Sequence, residues 1–393
     1  MPKTILVLNA GSSSLKFAVF ELAGDPTLHV RGSISALDAN PRMKIYEAGS
    51  EDIEVPVKGE TMDIKTAMAL VLDQLSCRGH LKSVVAVGHR IVHGGGEFAD
   101  ITVLDQHVIN DLRKLIPLAP MHQPRNLEIV AEAMRALPKA IQYGCFDTAF
   151  HHSRPRIASL YGLPRSYADH GLISYGFHGI SYGYIASRLR AKYGHLAGGG
   201  CIVAHLGSGA SLCAMQGGVS VATTMGFSTL DGLLMGTRCG ALDPGVVLYL
   251  LQEQGMSADA IADLLYNQSG LLGISGLSAD MQVLINSTEI MAKEAIDLFV
   301  YRTSQQIGAM AASLGGVDTL VFCAGIGENS PLIREKIGAA TKWLGVKIDK
   351  DRNWKGQEDI TASHSKVKVL VIATDEELAV AQDVSRCIQQ TPQ

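Results

Sequence analysis

The chain has 393 residues, 47% of them hydrophobic and 18% charged, so it is long enough to bury the cores of two domains. A formal net charge of −4 gives no sign of nucleic acid or of an anionic membrane surface as a partner. Seven cysteines without a C-x-x-C pair argue against a zinc site and a disulfide framework, and are typical of a reducing cytosol. Only four apolar residues precede Asn9, whereas the apolar core of a secretory signal needs about 7–15, so no such signal is expected. No apolar run in the sequence approaches the ~20 residues of a membrane span.

The first predicted elements are strands at residues 4–9, 15–21 and 28–34, followed by a polar, turn-rich stretch through residue 60. The first two strands are joined by the small-residue turn AGSSS. Backbone N–H groups and serine hydroxyls in such a turn form a concave donor surface that suits phosphate. An ordinary hairpin with small residues is the alternative interpretation.

Four further elements are predicted before residue 153. Apolar spacing predicts a helix at 62–76, a strand in 83–96 that ends at three glycines, and a helix at 122–137 with proline near its start. Residues 140–152 predict a short buried strand that ends at Asp147. Such an aspartate suits a metal–water contact, but it would equally serve as a helix N-cap.

The opening pattern returns in the second half of the chain. After a predicted helix at 181–193, residues 201–215 again show an apolar run, a small-residue turn with glycine and serine, and a second apolar segment. Two similar hairpins half a chain apart predict a duplicated domain, with coincidence as the alternative.

Three elements complete the chain. They are a long helix at 288–314, a strand, glycine turn and helix over 318–338, and a last helix at 373–388, where Thr374 and Glu377 have capping-box spacing. The turn GIGENS nearly matches a dinucleotide fingerprint, but too few residues follow it for a Rossmann core. Two interpretations of this segment remain: a turn near a nucleotide, or a helix cap.

Several charged residues stand beside glycine turns. Arg90 and Arg238 each follow an apolar segment and precede glycines, a setting in which arginine can bind phosphate or form an internal salt bridge. His122 and His178 follow short apolar segments, where a structural histidine is the commoner outcome. Glu376 begins a helix, where the helix dipole alone would explain it.

Seven blocks resemble, in the same order, the signature blocks of the acetate kinase family: LVLNAGSSSLKF, GHRIVHGG, FDTAFH, YGFHGIS, MGTRCGALDPG, GIGENSPLIR and TDEELA. The resemblance runs from residue 4 to about residue 388. It implies an α/β fold of two duplicated actin-like (ribonuclease H-like) domains with mixed five-stranded sheets, flanking helices and a nucleotide cleft between them. The implied domains are residues 1–150 with 378–393, and residues 151–377.

The resemblance also implies reversible transfer of phosphate between ATP and acetate, with Mg²⁺ (or Mn²⁺), in a cytoplasmic homodimer. It implies catalytic roles for Asp147, His178, Arg238 and Arg90, and metal binding at Asn9 and Glu376. It implies substrate contacts from Arg90, Val92, Met121, His122, Phe177 and Thr229. It implies nucleotide contacts from Ser12, Lys16, His205, Leu206, Gly207, Ser208, Gly209, Asp280, Met281, Gln282, Gly325, Ile326, Gly327, Glu328 and Asn329.

The chemistry agrees with these roles. A small carboxylic acid, like an Asp or Glu side chain, has a pKa near ~4, so the nucleophile is ionised at pH 7 and needs no general base. Catalysis must then come from alignment and from positive charge on the phosphoryl oxygens. We therefore interpret Asp147 as an organiser of metal-bound water more than as a proton acceptor.

Four residues depart from the family pattern: Ser208 stands for asparagine, Thr229 for the proline of TPLEG, Tyr182 for the last histidine of HGTSH, and Gln282 for an arginine. A propionate or butyrate kinase is the nearest alternative. A sugar kinase would need a polar pocket that the sequence does not indicate. A protein of another class, driven through conformational change by a nucleotide, would not need two arginines beside an apolar pocket.

Overall fold

The computed structural model describes residues 2–11, 14–22, 24–37, 39–50, 52–57, 59–194 and 196–390. The chain divides into two compact units. The split unit consists of Met1–Ala149 and Asp375–Gln393, and the continuous unit of Phe150–Thr374. In the described part of the chain, no helix has both the length and the apolar character that crossing a membrane requires.

The strands are β1 (Thr4–Ala10), β2 (Leu15–Glu21), β3 (Thr27–Ser35), β4 (Arg42–Glu47), β5 (Ile53–Val55), β6 (Val84–Ile91), β7 (Thr102–Val103), β8 (Ile141–Phe146), β9 (Gly200–Leu206), β10 (Ala210–Gln216), β11 (Val219–Thr223), β12 (Thr319–Cys323) and β13 (Lys368–Val371).

The α-helices are α1 (Ile64–Cys77), α2 (Gln106–Lys114), α3 (Gln123–Ala136), α4 (Arg165–Asp169), α5 (Gly179–Lys192), α6 (Pro244–Gln252), α7 (Ala258–Asn267), α8 (Gly270–Ser275), α9 (Met281–Ile285), α10 (Ile290–Leu314), α11 (Ala324–Asn329), α12 (Pro331–Ala340), α13 (Lys350–Trp354) and α14 (Glu376–Gln390).

The split unit is built on an eight-stranded sheet with the order β5-β4-β3-β2-β1-β6-β8-β7. β1 runs antiparallel to β2 and parallel to β6, which runs parallel to β8. Leu6 and Leu8 of β1 pack in one core with residues of α1 and α3. α14 lies close to β6 at Gly88, because an added Cβ there would be 2.6 Å from Val380 Cγ1.

The continuous unit contains a five-stranded sheet with the order β11-β10-β9-β12-β13. β9 runs antiparallel to β10 and parallel to β12, the arrangement that β1 has with β2 and β6. α5 packs on this sheet through Tyr182, Ile185 and Leu189, and α10 packs against β9, β10 and β11. The predicted α/β class, with a hairpin and mixed sheet in each copy, is confirmed.

The expectation of five strands is wrong for the sheet of the split unit, which β4, β5 and β7 extend to eight. The polar stretch through residue 60 contains β4 and β5 rather than turns alone. In β4, buried Met43 and Ile45 alternate with exposed Arg42 and Lys44. This period of two is a strand signal that the high polarity of the segment conceals.

Two local predictions near the end of the chain are also wrong. The turn predicted at GIGENS is instead helix α11, although its last residue, Ser330, caps α12 as the helix-cap alternative indicated. The capping box of Thr374 and Glu377 does not form. Asp375 caps α14 instead, since its Oδ1 accepts a bond from Leu378 N at 2.9 Å. Aspartate is at least as favourable an N-cap as threonine, so the helix begins one residue later.

Candidate active site

Three predicted site residues meet at one edge of the sheet in the split unit. Asn9 is the second-last residue of the fully buried strand β1, Arg90 lies opposite it in β6, and Asp147 follows β8 directly. Since these three strands are parallel neighbours, their carboxyl ends share one edge. The fold thus brings together residues that are far apart in sequence.

Arg90 is held by carboxylates on two sides. Its Nη2 donates to Asp147 Oδ2 at 2.7 Å, and its Nε donates to Asp147 Oδ1 at 3.1 Å. Its Nη1 donates to Glu376 Oε2 at 2.9 Å and to Asn9 Oδ1 at 3.1 Å. Burial by itself would lower the pKa of Arg90, but Asp147 and Glu376 raise it. Burial raises the pKa of Asp147, which Arg90 opposes. The internal salt bridge considered for Arg90 is therefore present.

α14 supplies two carboxylates to the same cluster. Asn9 Nδ2 donates to Glu376 Oε2 and to Glu377 Oε1, both at 3.0 Å. The cluster of Asn9, Arg90, Asp147, Glu376 and Glu377 has three carboxylates and one guanidinium, a net charge of −2.

That excess charge suits a divalent cation. Among the described residues, no group of three or more His, Cys, Asp or Glu side chains has an arrangement that could hold a metal ion by itself. Mg²⁺, however, keeps several waters and binds through one or two carboxylates together with substrate phosphates. The oxygen donors of Asn9 and Glu376 in a cluster of net negative charge fit that mode of binding.

Lys16 lies across the hairpin from Asn9, because the two residues are paired in β1 and β2. Its exposed side chain lines a cavity of about 290 Å³ together with Arg31, Lys44 and Glu377. Ser12 lies outside the described residues.

The predicted substrate contacts of the split unit differ in exposure. Val92 is buried, and its N–H donates to Asn126 Oδ1 at 3.0 Å. His122 is half-buried and immediately precedes α3, whereas the Met121 side chain is 43% exposed. A methyl-binding wall from these residues stays a prediction.

In the continuous unit, the tip of the β9–β10 hairpin lies close to the side chains of an arginine and a histidine. The turn closes through a bond from Gly207 N to Gly209 O at 3.1 Å, and Ser208 lies between them. An added Cβ at Gly209 would lie 2.7 Å from Arg238 Nη2 and 3.4 Å from His178 Nε2. Only glycine therefore allows both groups to approach the backbone of the tip.

Arg238 has a different environment from Arg90. Its Nη1 donates to Thr229 O at 2.5 Å, and the described residues give it no ion-pair partner. Burial lowers the pKa of Arg238, although the group stays charged at neutral pH. A partly buried guanidinium without a carboxylate is a ready site for an anion.

Histidines surround the same tip. His178 has a left-handed backbone with φ 59°, and its Nδ1 lies 2.8 Å from Ser211 Oγ. His205 of β9 stacks on the His178 ring with centroids 4.2 Å apart.

Two further predicted site residues of the continuous unit are buried. Leu206 is buried in β9. Phe177 is also fully buried, and its carbonyl accepts a bond from His151 Nε2 at 2.9 Å.

The segments predicted to approach adenosine have largely internal contacts. Glu328 Oε1 accepts from Ala324 N at 2.8 Å and from Thr374 N at 3.0 Å. Asn329 Nδ2 donates to Gly325 O at 2.9 Å, and Gly327 and Ile326 lie within the same helix α11. Asp280 caps α9 through Gln282 N at 2.8 Å, and Met281 is buried.

Sequence reasoning missed Arg334, which fixes α11. This fully buried side chain donates through Nη1 to Gly327 O and Glu328 O, both at 2.8 Å, and through Nε to Asn353 Oδ1 at 2.7 Å. The available signal was its place beside Ile333, on the apolar side of α12.

Comparisons with known proteins agree on one family. The sequence profile of the Acetokinase family matches residues 4–382. The chain is 47% identical over 395 residues to an acetate kinase of Rhodopseudomonas palustris (strain TIE-1), covering 98% of each chain. It is 42% identical over 384 residues to an acetate kinase of Rickettsia akari (strain Hartford), covering 98% of this chain and 99% of that one.

Two solved structures are similar over nearly their whole length. A propionate kinase from Francisella tularensis subsp. tularensis SCHU S4 has a TM-score of 0.90 at 34% identity, covering 97% of this chain and 98% of that one. An acetate kinase from Porphyromonas gingivalis has a TM-score of 0.86 at 34% identity, covering 99% and 100%.

Proposed function

The chain belongs to the acetokinase family, and we propose that it is an acetate kinase that transfers the terminal phosphoryl group of ATP to acetate, giving ADP and acetyl phosphate, reversibly. The observation that carries this proposal is the Arg238 guanidinium, which lies with His178 Nε2 against Gly209 and has no ion-pair partner among the described residues. These groups supply positive charge and a hydrogen bond where a phosphoryl group of high negative charge must be stabilised.

No proton acceptor for the nucleophile is required, because acetate is ionised at neutral pH. The hydrogen bonds of Asp147 support the absence of a general base, since two guanidinium N–H groups of Arg90 occupy both of its carboxylate oxygens. Asp147 acts as a fixed counter-charge that holds Arg90 in place. Arg90 in turn positions Asn9 and Glu376.

Mg²⁺, or Mn²⁺ in its place, is proposed to be held through Asn9 and Glu376, with Asp147 and Glu377 adding to the negative charge of the site. When bound, the metal supplies charge neutralisation on the nucleotide phosphates. Lys16 and the tip of the β9–β10 hairpin, His205 to Gly209, are proposed as further phosphate contacts. Asp280 to Gln282 and Gly325 to Asn329 are proposed to lie near adenosine.

The test is hydroxylamine trapping of the acyl phosphate with acetate, propionate, butyrate and formate. We expect kcat/KM for acetate to exceed that for propionate by about tenfold, the low end of what one methylene brings, because Thr229 replaces a proline. Val92→Ala should raise the relative activity with propionate. A wild-type preference for propionate would instead support the propionate kinase assignment, which the Francisella tularensis neighbour favours.

The same assay, together with a measurement of ADP release, distinguishes an acetate kinase from a nucleotide-driven conformational protein. Such a protein would release ADP and phosphate at a rate that does not depend on the carboxylic acid, and no acyl hydroxamate would form. ADP release that requires acetate, with an equal amount of hydroxamate, supports the kinase.

We also propose two domains, residues 1–150 with 378–393 and residues 151–377, a homodimer, and a cytoplasmic location. Free cysteines, such as buried Cys201 and Cys213, support a reducing compartment. The apolar surface of α6 supports the homodimer. It exposes Leu248, Tyr249 and Leu251, which are 52%, 54% and 45% accessible.

A further inference from the structure

Tyr182 and Ser211 form a hydrogen-bond chain behind His178. His178 immediately precedes α5, and Tyr182 lies one turn later, with its N–H donating to the His178 carbonyl at 3.0 Å. The Tyr182 hydroxyl is 2.5 Å from Ser211 Oγ, which is 2.8 Å from His178 Nδ1. Neither Tyr182 nor Ser211 has exposed surface, so this chain runs from the core to the ring without solvent.

The chemistry of the three groups determines which of them donates in each hydrogen bond of this chain. Ser211 Oγ is the partner of the buried Tyr182 hydroxyl, so the phenolic hydrogen has an acceptor only if Tyr182 donates to Ser211. The serine hydrogen is then available to His178 Nδ1. A neutral imidazole that accepts at Nδ1 carries its proton on Nε2.

The opposite direction is unfavourable. If His178 Nδ1 carried the proton and donated to Ser211, three hydrogens would share two hydrogen bonds, so either the serine or the phenolic hydrogen would have no acceptor within this group. An unsatisfied buried donor is destabilising, so the first arrangement is favoured.

The ring has little freedom to turn away from this arrangement. His205 stacks on it at 4.2 Å with an interplanar angle of 18°, and Tyr182 meets His205 edge-on at 6.3 Å. The left-handed φ of His178 is a strained conformation that its surroundings must hold. Nε2 faces the backbone of Gly209 beside Arg238 Nη2.

We propose that Tyr182 is a positioning residue for His178: through Ser211 it holds the imidazole in the Nε2–H tautomer, so that the ring presents a hydrogen-bond donor at the tip of the β9–β10 hairpin. That this donor acts on a phosphoryl oxygen rests on the proposed function, whereas the tautomer itself does not. Tyr182 is also one of the four residues that depart from the family pattern described in the sequence analysis.

The direct test is the ¹⁵N NMR spectrum of the full chain labelled at histidine, at about pH 8.5, where imidazole groups with ordinary pKa values are neutral. The His178 signals are identified by their loss in His178→Asn. We expect the Nε2–H tautomer alone in the wild type, and exchange between both tautomers in Tyr182→Phe. Tyr175→Phe is the matched control, since it removes a hydroxyl that donates to Gly171 O at 2.6 Å and should leave the His178 spectrum unchanged.

If Tyr182→Phe does not fold, Ser211→Ala breaks the same chain and takes its place. A wild-type proton on Nδ1, or an unchanged tautomer in the variant, would overturn the proposal. A wild type without kinase activity would overturn the proposed function, while the spectrum would still decide the tautomer.

Kinetics provide a second readout. Loss of an orienting partner of a histidine should lower kcat about 10–100-fold, with KM for ATP and acetate nearly unchanged. Because Tyr182 acts through Ser211, the double variant should be no slower than Ser211→Ala. If the two substitutions reduced kcat by factors that multiply in the double variant, Tyr182 and Ser211 would act independently, which would contradict a single hydrogen-bond chain.

Discussion

Arg90 and Arg238 are both partly buried, but their charges are balanced differently. Arg90 donates to Asp147 and Glu376, whereas among the described residues Arg238 binds a backbone carbonyl and no carboxylate. An uncompensated cation in a partly buried site is unfavourable until an anion arrives. The free charge of Arg238 is therefore the one available for a phosphoryl group.

Arg238→Ala should lower kcat about 10²–10³-fold, the usual effect of removing one electrostatic donor to a transition state. The fold should persist, because the side chain has no ion pair within the described part of the chain. A coupled ADP assay and thermal unfolding measure the two effects.

The matched variants for this prediction are Arg238→Lys and Arg156→Ala. Lysine retains charge but not the fork of N–H groups, so it should restore activity only in part. Arg156 is 65% exposed and should tolerate alanine. If Arg238→Ala retains more than half of its activity, its assignment to the phosphoryl group is wrong.

The sequence identified both arginines by their glycine turns, but could not show which one had a counter-charge. Asp147 and Glu376 are 57 and 286 residues from Arg90. Such pairs depend on which strands are neighbours in the sheet. The roles of Tyr182 and Ser211 were invisible for the same reason.

At the scale of single elements, the first turn of α14 divides its acidic residues between stability and metal binding. Asp375 caps the helix and pairs with Arg31 at 2.9 Å, so Asp375→Ala should lower the free energy of unfolding by about 1–2 kcal/mol. Glu376→Gln should raise the Mg²⁺ concentration needed for half-maximal activity. Urea unfolding and a magnesium titration measure these effects.

Glu377→Gln is the control for that division, because glutamine can still accept from Asn9 Nδ2. It should lower stability by less than Asp375→Ala does, because the half-buried side chain keeps its hydrogen bond and caps no helix. A loss as large as that of Asp375→Ala would restore the capping role that the sequence first indicated.

α6 has the character of an interface helix, since no residue in it is buried. If this helix joins two copies, the wild type should be a dimer by light scattering, and a double variant with Leu248→Arg and Leu251→Arg should be monomeric. Val103→Arg, at an exposed position of the split unit, should remain dimeric. A dimer that persists in the double variant would show that the interface does not depend on α6.

Element prediction succeeded where apolar periodicity was strong and failed where polarity or neighbouring caps concealed it. α10 ends at Gly315, as the glycine pair indicates, and α3 begins beside a proline. β4 was missed because its exposed side is charged. Its pairing with β3 stabilises it, and no local pattern encodes that contact.

At the scale of the whole molecule, three buried histidines make stability depend on pH. Burial lowers the pKa to about 4 for His89 and His93 and to about 3 for His151. The unfolded chain binds these protons below about pH 6.5, so the free energy of unfolding should fall as pH drops from there towards about 4. Each histidine contributes up to about 1.4 kcal/mol per pH unit. Urea unfolding at about pH 7.5, 6 and 5 measures the slope.

His107 provides the comparison, because its side chain is 86% exposed. His107→Gln should leave the slope unchanged, whereas His89→Gln should reduce it by about one proton, the number that one site takes up on unfolding. An unfolding midpoint that is the same at all three pH values would show that the histidines do not stay neutral in the folded chain.

The split unit has a consequence for biosynthesis. Its first part, Met1–Ala149, leaves the ribosome before Phe150–Thr374, and α14 comes last. At about 5–20 residues per second, roughly 10–45 s of translation separate the two parts. During that time Gly88 lacks Val380 above it, and Arg90 lacks Glu376. The continuous unit, although second in the chain, can complete its fold first, and the charge cluster around Arg90 closes only after α14 has been synthesised.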